Sequence, residues 1–305
     1  MPAILVAGCG YVGSRLASSL VEDGDRVWGL RRGPTDLPVG VTAVRADVTD
    51  ASTLGVLPKN LDALVFAVSP DSRDPAAYRA AFETGLQTLV RAVREGSPDL
   101  RRVVLVSSTG VFGQRDGRWV DEGTPPEPCD ETGSILLEGE RGLRALEPEA
   151  VVLRLGGIYG PGRTRTARRV VGGEVGCPPP DRYTNRIHRD DAAGAVRHLL
   201  RLASPEALYL GVDREPAPLR DVYAWIAERA GVPGPCAGSG TEVGAGESRR
   251  ASNKRCRSDR LEASGYRFAY PTYREGYASI VDHLVGSGDH VGDGRVGGRS
   301  GRESA

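Results

Sequence analysis

Three glycines near the start of the chain, Gly8, Gly10 and Gly13 in VAGCGYVGSRLA (residues 6–17), have the G-x-G-x-x-G spacing of a loop that admits a diphosphate. The run before them, Ala3–Ala7, reads as a strand, and the residues after them read as an amphipathic helix. In that order the first glycine turns the chain, the second lets the backbone approach a pyrophosphate, and the third packs helix on strand. The helix N-terminus then faces the phosphates. Gly8, Cys9, Gly10, Tyr11, Val12 and Gly13 are therefore expected around the diphosphate of a dinucleotide.

The second strand ends in Leu30-Arg31-Arg32, where an NAD site would carry Asp or Glu for the ribose 2′-hydroxyl. Two guanidiniums can instead grip a 2′-phosphate, so NADP(H) is favoured over NAD(H). Later strand ends add Asp47 and Val48 beside an adenine ring, and Ala67, Val68 and Ser69 along the ribose. These follow from the rule that ligands of open α/β sheets bind at the carboxyl ends of the strands.

The elements that must hold these residues alternate. Strands are predicted at Ala3–Ala7, Arg26–Leu30, Val41–Ala46, Ala63–Val68, Arg102–Ser107 and Val151–Leu155. Between them lie helices, the clearest being Pro75–Gly96, whose Tyr78, Ala81, Phe82, Leu86, Leu89 and Val93 mark one buried face. Asp74 is placed to cap it, with Pro75 at the first helical position. Continuous apolar strands alternating with helices predict an α/β, Rossmann-type doubly wound parallel sheet. The dinucleotide domain is expected over residues 1–157, a smaller C-terminal substrate lobe over 158–284 with segments returning to the core, and a disordered tail over 285–305.

Composition excludes several classes. Lys plus Arg and Asp plus Glu both total 40, so no global field gathers nucleic acid or an anionic membrane. No run of ~20 apolar residues could span a bilayer, and no basic leader precedes the glycine loop, so neither anchor nor signal peptide is expected. The five cysteines are scattered, without a CxxC or a Cys/His cluster, which predicts a reduced, cytoplasmic protein without a metal site.

With these pieces in order, the chain resembles the extended short-chain dehydrogenase/reductase superfamily, in its NAD-dependent epimerase/dehydratase branch. The resemblance spans about residues 3–280 and rests on AGCGYVG, the Asp47-Val48 turn, VVLVSSTGVFG (103–113), LRLGGIYGPGR (154–163), NRIHRDDAAGAV (185–196) and the closing block 253–277. It implies that Ser107 borders the cofactor and that Ser108 is the catalytic hydroxyl. It also implies that Gly157 and Ile158 meet the nicotinamide carboxamide. Tyr159 becomes an alternative proton donor, and Thr109, Arg163 and His188 are substrate-side candidates, Arg163 for an anionic group.

The family's Tyr-x-x-x-Lys pair, in which the lysine lowers the tyrosine pKa for proton exchange with the substrate, falls here on Thr132 and Leu136. It occurs nowhere else. The only lysines are Lys59 and Lys254, and the residues four before them are Gly55 and Arg250. Thr109 and Gly110 also replace the Asp-Glu pair of the sugar dehydratases. With GRWVDE at 117–122, the chain looks like the atypical YeeZ-like group.

Three functions follow from this reading. The first is an oxidoreductase or epimerase on a small, nucleotide-sugar-like or anionic substrate, with an unusual proton path. The second is a catalytically silent NADPH-binding sensor or regulatory protein, and the third an assembly role in which the cofactor stabilises the fold. The helices Pro75–Gly96 and Ser134–Leu146 match the pair that forms a homodimer in the superfamily, with Gly139 and Gly142 interrupting the second one's apolar face.

Overall fold

The computed structural model describes residues 1–33, 36–237 and 252–286; the expected tail lies outside them except for its first two residues. In chain order the strands are Ala3–Ala7 (β1), Arg26–Arg31 (β2), Val41–Arg45 (β3), Ala63–Phe66 (β4), Arg102–Ser108 (β5), Trp119–Val120 (β6) and Val151–Leu155 (β7). Gly157–Tyr159 (β8), Tyr183–Thr184 (β9), Arg186–His188 (β10), Leu208–Gly211 (β11), Ala217–Pro218 (β12) and Arg255–Cys256 (β13) follow. Seven of them form one parallel sheet in the order β11-β7-β5-β4-β1-β2-β3. The order reverses between β4 and β1, which opens a crevice at their carboxyl ends.

β1 and β4 bury every residue, which is why they are apolar throughout; β7 is as deeply buried and holds one charged residue, Arg154. Edge strand β3 buries only Val44 fully. Helix α1 (Tyr11–Glu22) lies on one face of the sheet, with Leu16 and Leu20 fully buried. Each such leucine contributes about 1.5–3 kcal/mol relative to exposure. That outweighs the ~1 kcal/mol a capping side chain would add at Gly10, and none is present there. The first-turn amides of α1 therefore have no side chain closing them off.

The other face carries a helical run in three parts: α2 (Pro75–Tyr78), a π-helical segment (Arg79–Gly85) and α3 (Leu86–Gly96). Asp74 accepts from the Ala76 amide at its start, as its position before Pro75 suggests. The uniform periodicity expected over Pro75–Gly96 is broken by the π segment. Its widened turns set Ala80, Ala81 and Phe82 along the wall of the crevice. Helix α4 (Glu131–Leu146) packs on this run and starts three residues earlier than expected, because Asp130 caps the Gly133 amide at 2.8 Å. A Cβ on Gly139 would stand 2.9 Å from the Phe82 carbonyl oxygen, so this glycine lets the two helices of one chain touch.

The chain crosses back after β8. Helices α5 (Arg165–Val171) and α7 (Leu219–Ala230), with helix Tyr273–Gly286, enclose a separate core of Tyr159, Val170, Ile226, Tyr273 and Tyr277. Between them, helix α6 (Arg189–Arg201) packs on α1 and leads to β11, the sheet's outer strand. One expectation is overturned: Cys177 and Cys236 form a disulfide, with Cα atoms 4.8 Å apart, which ties the loop after α5 to the segment after α7. Residues 59 apart in two irregular loops leave no spacing signature, so their pairing is a tertiary fact. Among the described residues no helix is long and apolar enough to cross a membrane.

Candidate dinucleotide-binding cleft

A cleft of about 910 Å³ runs along the carboxyl ends of the sheet strands. At its floor lies the glycine loop. Gly8 has φ +86°, and a Cβ there would meet the Ala67–Val68 peptide at 2.5 Å. A Cβ on Gly13 would stand 2.3 Å from the Gly8 carbonyl, so Gly13 locks helix to loop beneath the cleft and does not line it. Gly10 has nothing nearer than 3.9 Å and faces the open cleft with Gly8, Cys9, Tyr11 and Val12. A cradle that a Cβ would fill, beside uncapped amides of α1, fits a pyrophosphate. Cys9 is fully buried and burial pushes its thiol up, so it is an inert wall residue.

At one end Arg31 and Arg32 border the cleft with Asp47, Val48 and, across it, Val68 and Ser69. Arg32 is not free. It grips Asp71 with both terminal nitrogens, one at 2.8 Å, and its Nη1 lies 4.0 Å from Asp47 Oδ2. The Arg32 guanidinium holds the Asp71 carboxyl below its ordinary range. Asp47 Oδ1 is spent on the amide and hydroxyl of Thr49. Arg31 has no carboxylate partner among the described residues.

At the other end stand Ser107, Ser108, Leu136, Gly156, Ile158 and Arg163. Ser108 Oγ accepts from the Gly110 amide at 3.0 Å, which leaves its proton available to the cleft. Ser107 Oγ donates to buried Glu140 at 2.6 Å. Leu136 presents an apolar side chain to the wall. Arg163 stacks on Tyr11, its guanidinium 4.2 Å from the ring centre, with Arg189 5.4 Å away. Tyr11 donates to the Pro161 carbonyl at 2.9 Å, and partial burial pushes its phenol up against the pull of both arginines.

Besides Gly13, four expected site residues lie off the cleft. Tyr159 is 4% exposed, stacked on Tyr277 at 4.4 Å in the core enclosed by α5 and α7. Burial pushes its phenol up strongly and its hydroxyl has no partner, so it is no proton donor for the cleft. Gly157 points away too, its amide bonded to the Asn185 carbonyl; Gly156 takes its place on the wall. Thr109 is buried at the start of a tight turn after β5. His188 is 2% exposed, caps α6 through Nδ1 and packs on Tyr270 at 3.8 Å; burial lowers its pKa. It is a structural histidine.

Asp71 and Tyr78 were not foreseen on the cleft wall. Asp71 lies just past the Ala67–Ser69 strand end, and Tyr78, expected on the buried helix face, is only half-buried in the first turn after Pro75.

The family model of the NAD dependent epimerase/dehydratase family matches residues 4–173. No curated protein sequence matches the chain. Among solved structures, an NAD-dependent epimerase/dehydratase of Methylobacillus flagellatus is 37% identical, with a TM-score of 0.78 over 93% of this chain and 98% of that one. Thermus thermophilus UDP-glucose 4-epimerase in complex with NAD is 23% identical, with a TM-score of 0.76 over 93% and 99%. The human epimerase family protein SDR39U1 with NADPH is 18% identical, with a TM-score of 0.71 over 92% and 100%. These last two likenesses are of fold. With its glycine loop, seven-stranded parallel sheet and matching family model, this chain belongs to the NAD dependent epimerase/dehydratase family.

Proposed function

We propose that the protein binds NADP(H) in preference to NAD(H) and acts as an oxidoreductase or epimerase on a small, anionic or nucleotide-sugar-like substrate. The observation that carries this reading is one continuous cleft with Arg31 and Arg32 at one end and Ser107, Ser108 and Arg163 at the other. When bound, the nicotinamide supplies a hydride donor or acceptor. Arg31, Arg32 and the α1 amides hold phosphate charge, Ser108 donates to a substrate oxygen, and Arg163 holds an anionic substrate group. With Leu136 on the wall and Tyr159 buried away, proton exchange runs through water or another hydroxyl. The human NADPH-bound relative lends support to the cofactor choice, while the Thermus epimerase is described with NAD.

The test is binding. Replacing Arg31 and Arg32 by alanine weakens NADPH binding far more than NADH binding, and equal losses overturn the preference. Leu136 also favours a second reading, a silent NADPH sensor. A sensor discriminates NADPH from NADP⁺ and turns over no substrate; an enzyme oxidises or reduces the bound nicotinamide when given substrate.

A cytoplasmic setting belongs to the same proposal. There the Cys177–Cys236 bridge meets a reducing thiol pool, and thiol counting on protein quenched in cells reads whether it persists. A homodimer across α3 and α4 would be polar, because their outer faces carry Arg91, Glu95, Glu138 and Arg141. Light scattering of the purified chain decides that.

A further inference from the structure

We propose that Asp71 sets the cofactor preference by competing with a 2′-phosphate for Arg32. This rests on the NADP(H) reading above and deepens it.

Three charged groups besides Asp71 stand where the 2′ position is expected: Arg31, Arg32 and Asp47. Arg31 is unclaimed by any carboxylate among the described residues. Arg32 is claimed by Asp71, through two parallel N–H···O contacts of the geometry a phosphate would need. Among the described residues Asp71 has no second partner, so Arg32 alone fixes that carboxylate there. It reaches Arg32 across the cleft, from the loop after β4 to the end of β2.

The charges at this corner therefore sum to zero while both aspartates are ionised. A dinucleotide with a free 2′-hydroxyl meets a neutral corner. One with a 2′-phosphate must draw Arg32 from Asp71 and lie beside a like-charged carboxylate. An exposed ion pair is weak, so the competition is winnable, but it lowers NADPH affinity below what two arginines could give. Asp71 thus narrows the discrimination between the two cofactors that Arg31-Arg32 alone would set.

The experiment is titration of the full-length protein with NADPH and NADH, following nicotinamide fluorescence, for wild type, D71N and D71N with R32A. D71N keeps the side chain's size and removes its charge. It is expected to tighten NADPH binding by about five- to tenfold, the scale of one unit charge removed from a surface contact, and to leave NADH within twofold. Adding R32A abolishes the gain. The tightening shrinks at high salt, as a screened interaction must. An unchanged NADPH affinity in D71N, or equal tightening for both cofactors, overturns the role of Asp71. If wild type prefers NADH, the NADP(H) reading fails on its own, while a D71N shift toward NADPH would still uphold the competition.

Discussion

Glu140 of α4 and Arg154 of β7 form an ion pair with only 6% and 5% of their side chains exposed, immediately behind Ser107 on the cleft wall. Arg154 donates from Nε at 3.1 Å and from Nη2 at 2.6 Å, and the same carboxylate accepts from Ser107 at 2.6 Å. The guanidinium also lies 4.9 Å from the Phe112 ring centre, while its Nη1 has no partner. Leu136, one helical turn before Glu140, reaches the cleft; Glu140 does not. The helix thus carries a buried charge network just below the cleft surface.

Breaking one side of such a pair strands the other charge. E140Q is expected to lose about 3–5 kcal/mol of stability, and the double change E140Q with R154M to recover most of it. Urea unfolding of the three variants checks this. A loss under ~1 kcal/mol for E140Q would mean that the pair is solvated.

The glycine loop separates packing from binding. In G13A the new methyl carbon would lie 2.3 Å from the Gly8 carbonyl, so the loop must move. About 1–3 kcal/mol of stability should be lost together with NADPH binding. In G10A the nearest atom is 3.9 Å away, so the fold should suffer less while the methyl obstructs the pyrophosphate. Melting curves and NADPH titration of both variants separate the two roles.

Much of this is legible in the sequence. β1 and β4 stand out because strands buried on both faces are apolar at every position, and β7 departs from that only at Arg154. The glycine loop was readable because its strand and helix flank it. The errors are also physical. Successive strand residues point to opposite faces, so Ile158 on the cleft requires Gly157 and Tyr159 off it; both sides of β8 cannot serve one site. Asp71 could not be found beside Arg32, because sheet order brings residues 39 apart together. The Cys177–Cys236 bridge escaped for the same reason.

That bridge closes a span of 59 residues containing β9 to α7, so oxidation should restrict the unfolded chain by the equivalent of about 4 kcal/mol. Under dithiothreitol, or in C177S with C236S, stability should fall by up to that amount. Neither cysteine lines the cleft, so NADPH affinity should stay within twofold. A large change in affinity on reduction would mean that the bridge orders the cleft. Denaturation and titration, each with and without reductant, decide it.

Asp213, just past β11, gives the protein a pH signature. It is 2% exposed; Oδ1 accepts from the Glu215 amide, and Oδ2 is buried without a partner. Burial pushes its pKa up to about 8, against the pull of Arg186. The unfolded chain ionises this group near its ordinary value of about 3.9. Between those two values the unfolded state releases a proton that the folded state keeps, so stability from this site falls as pH rises through that window and is level above it. In D213N an amide oxygen can still accept from Glu215, and the penalty is gone. D213N should match wild type near pH 4 and exceed it increasingly toward pH 8, by on the order of a few kcal/mol at most. Melting temperatures of both proteins across that range test the assignment, and parallel curves would place the titration elsewhere.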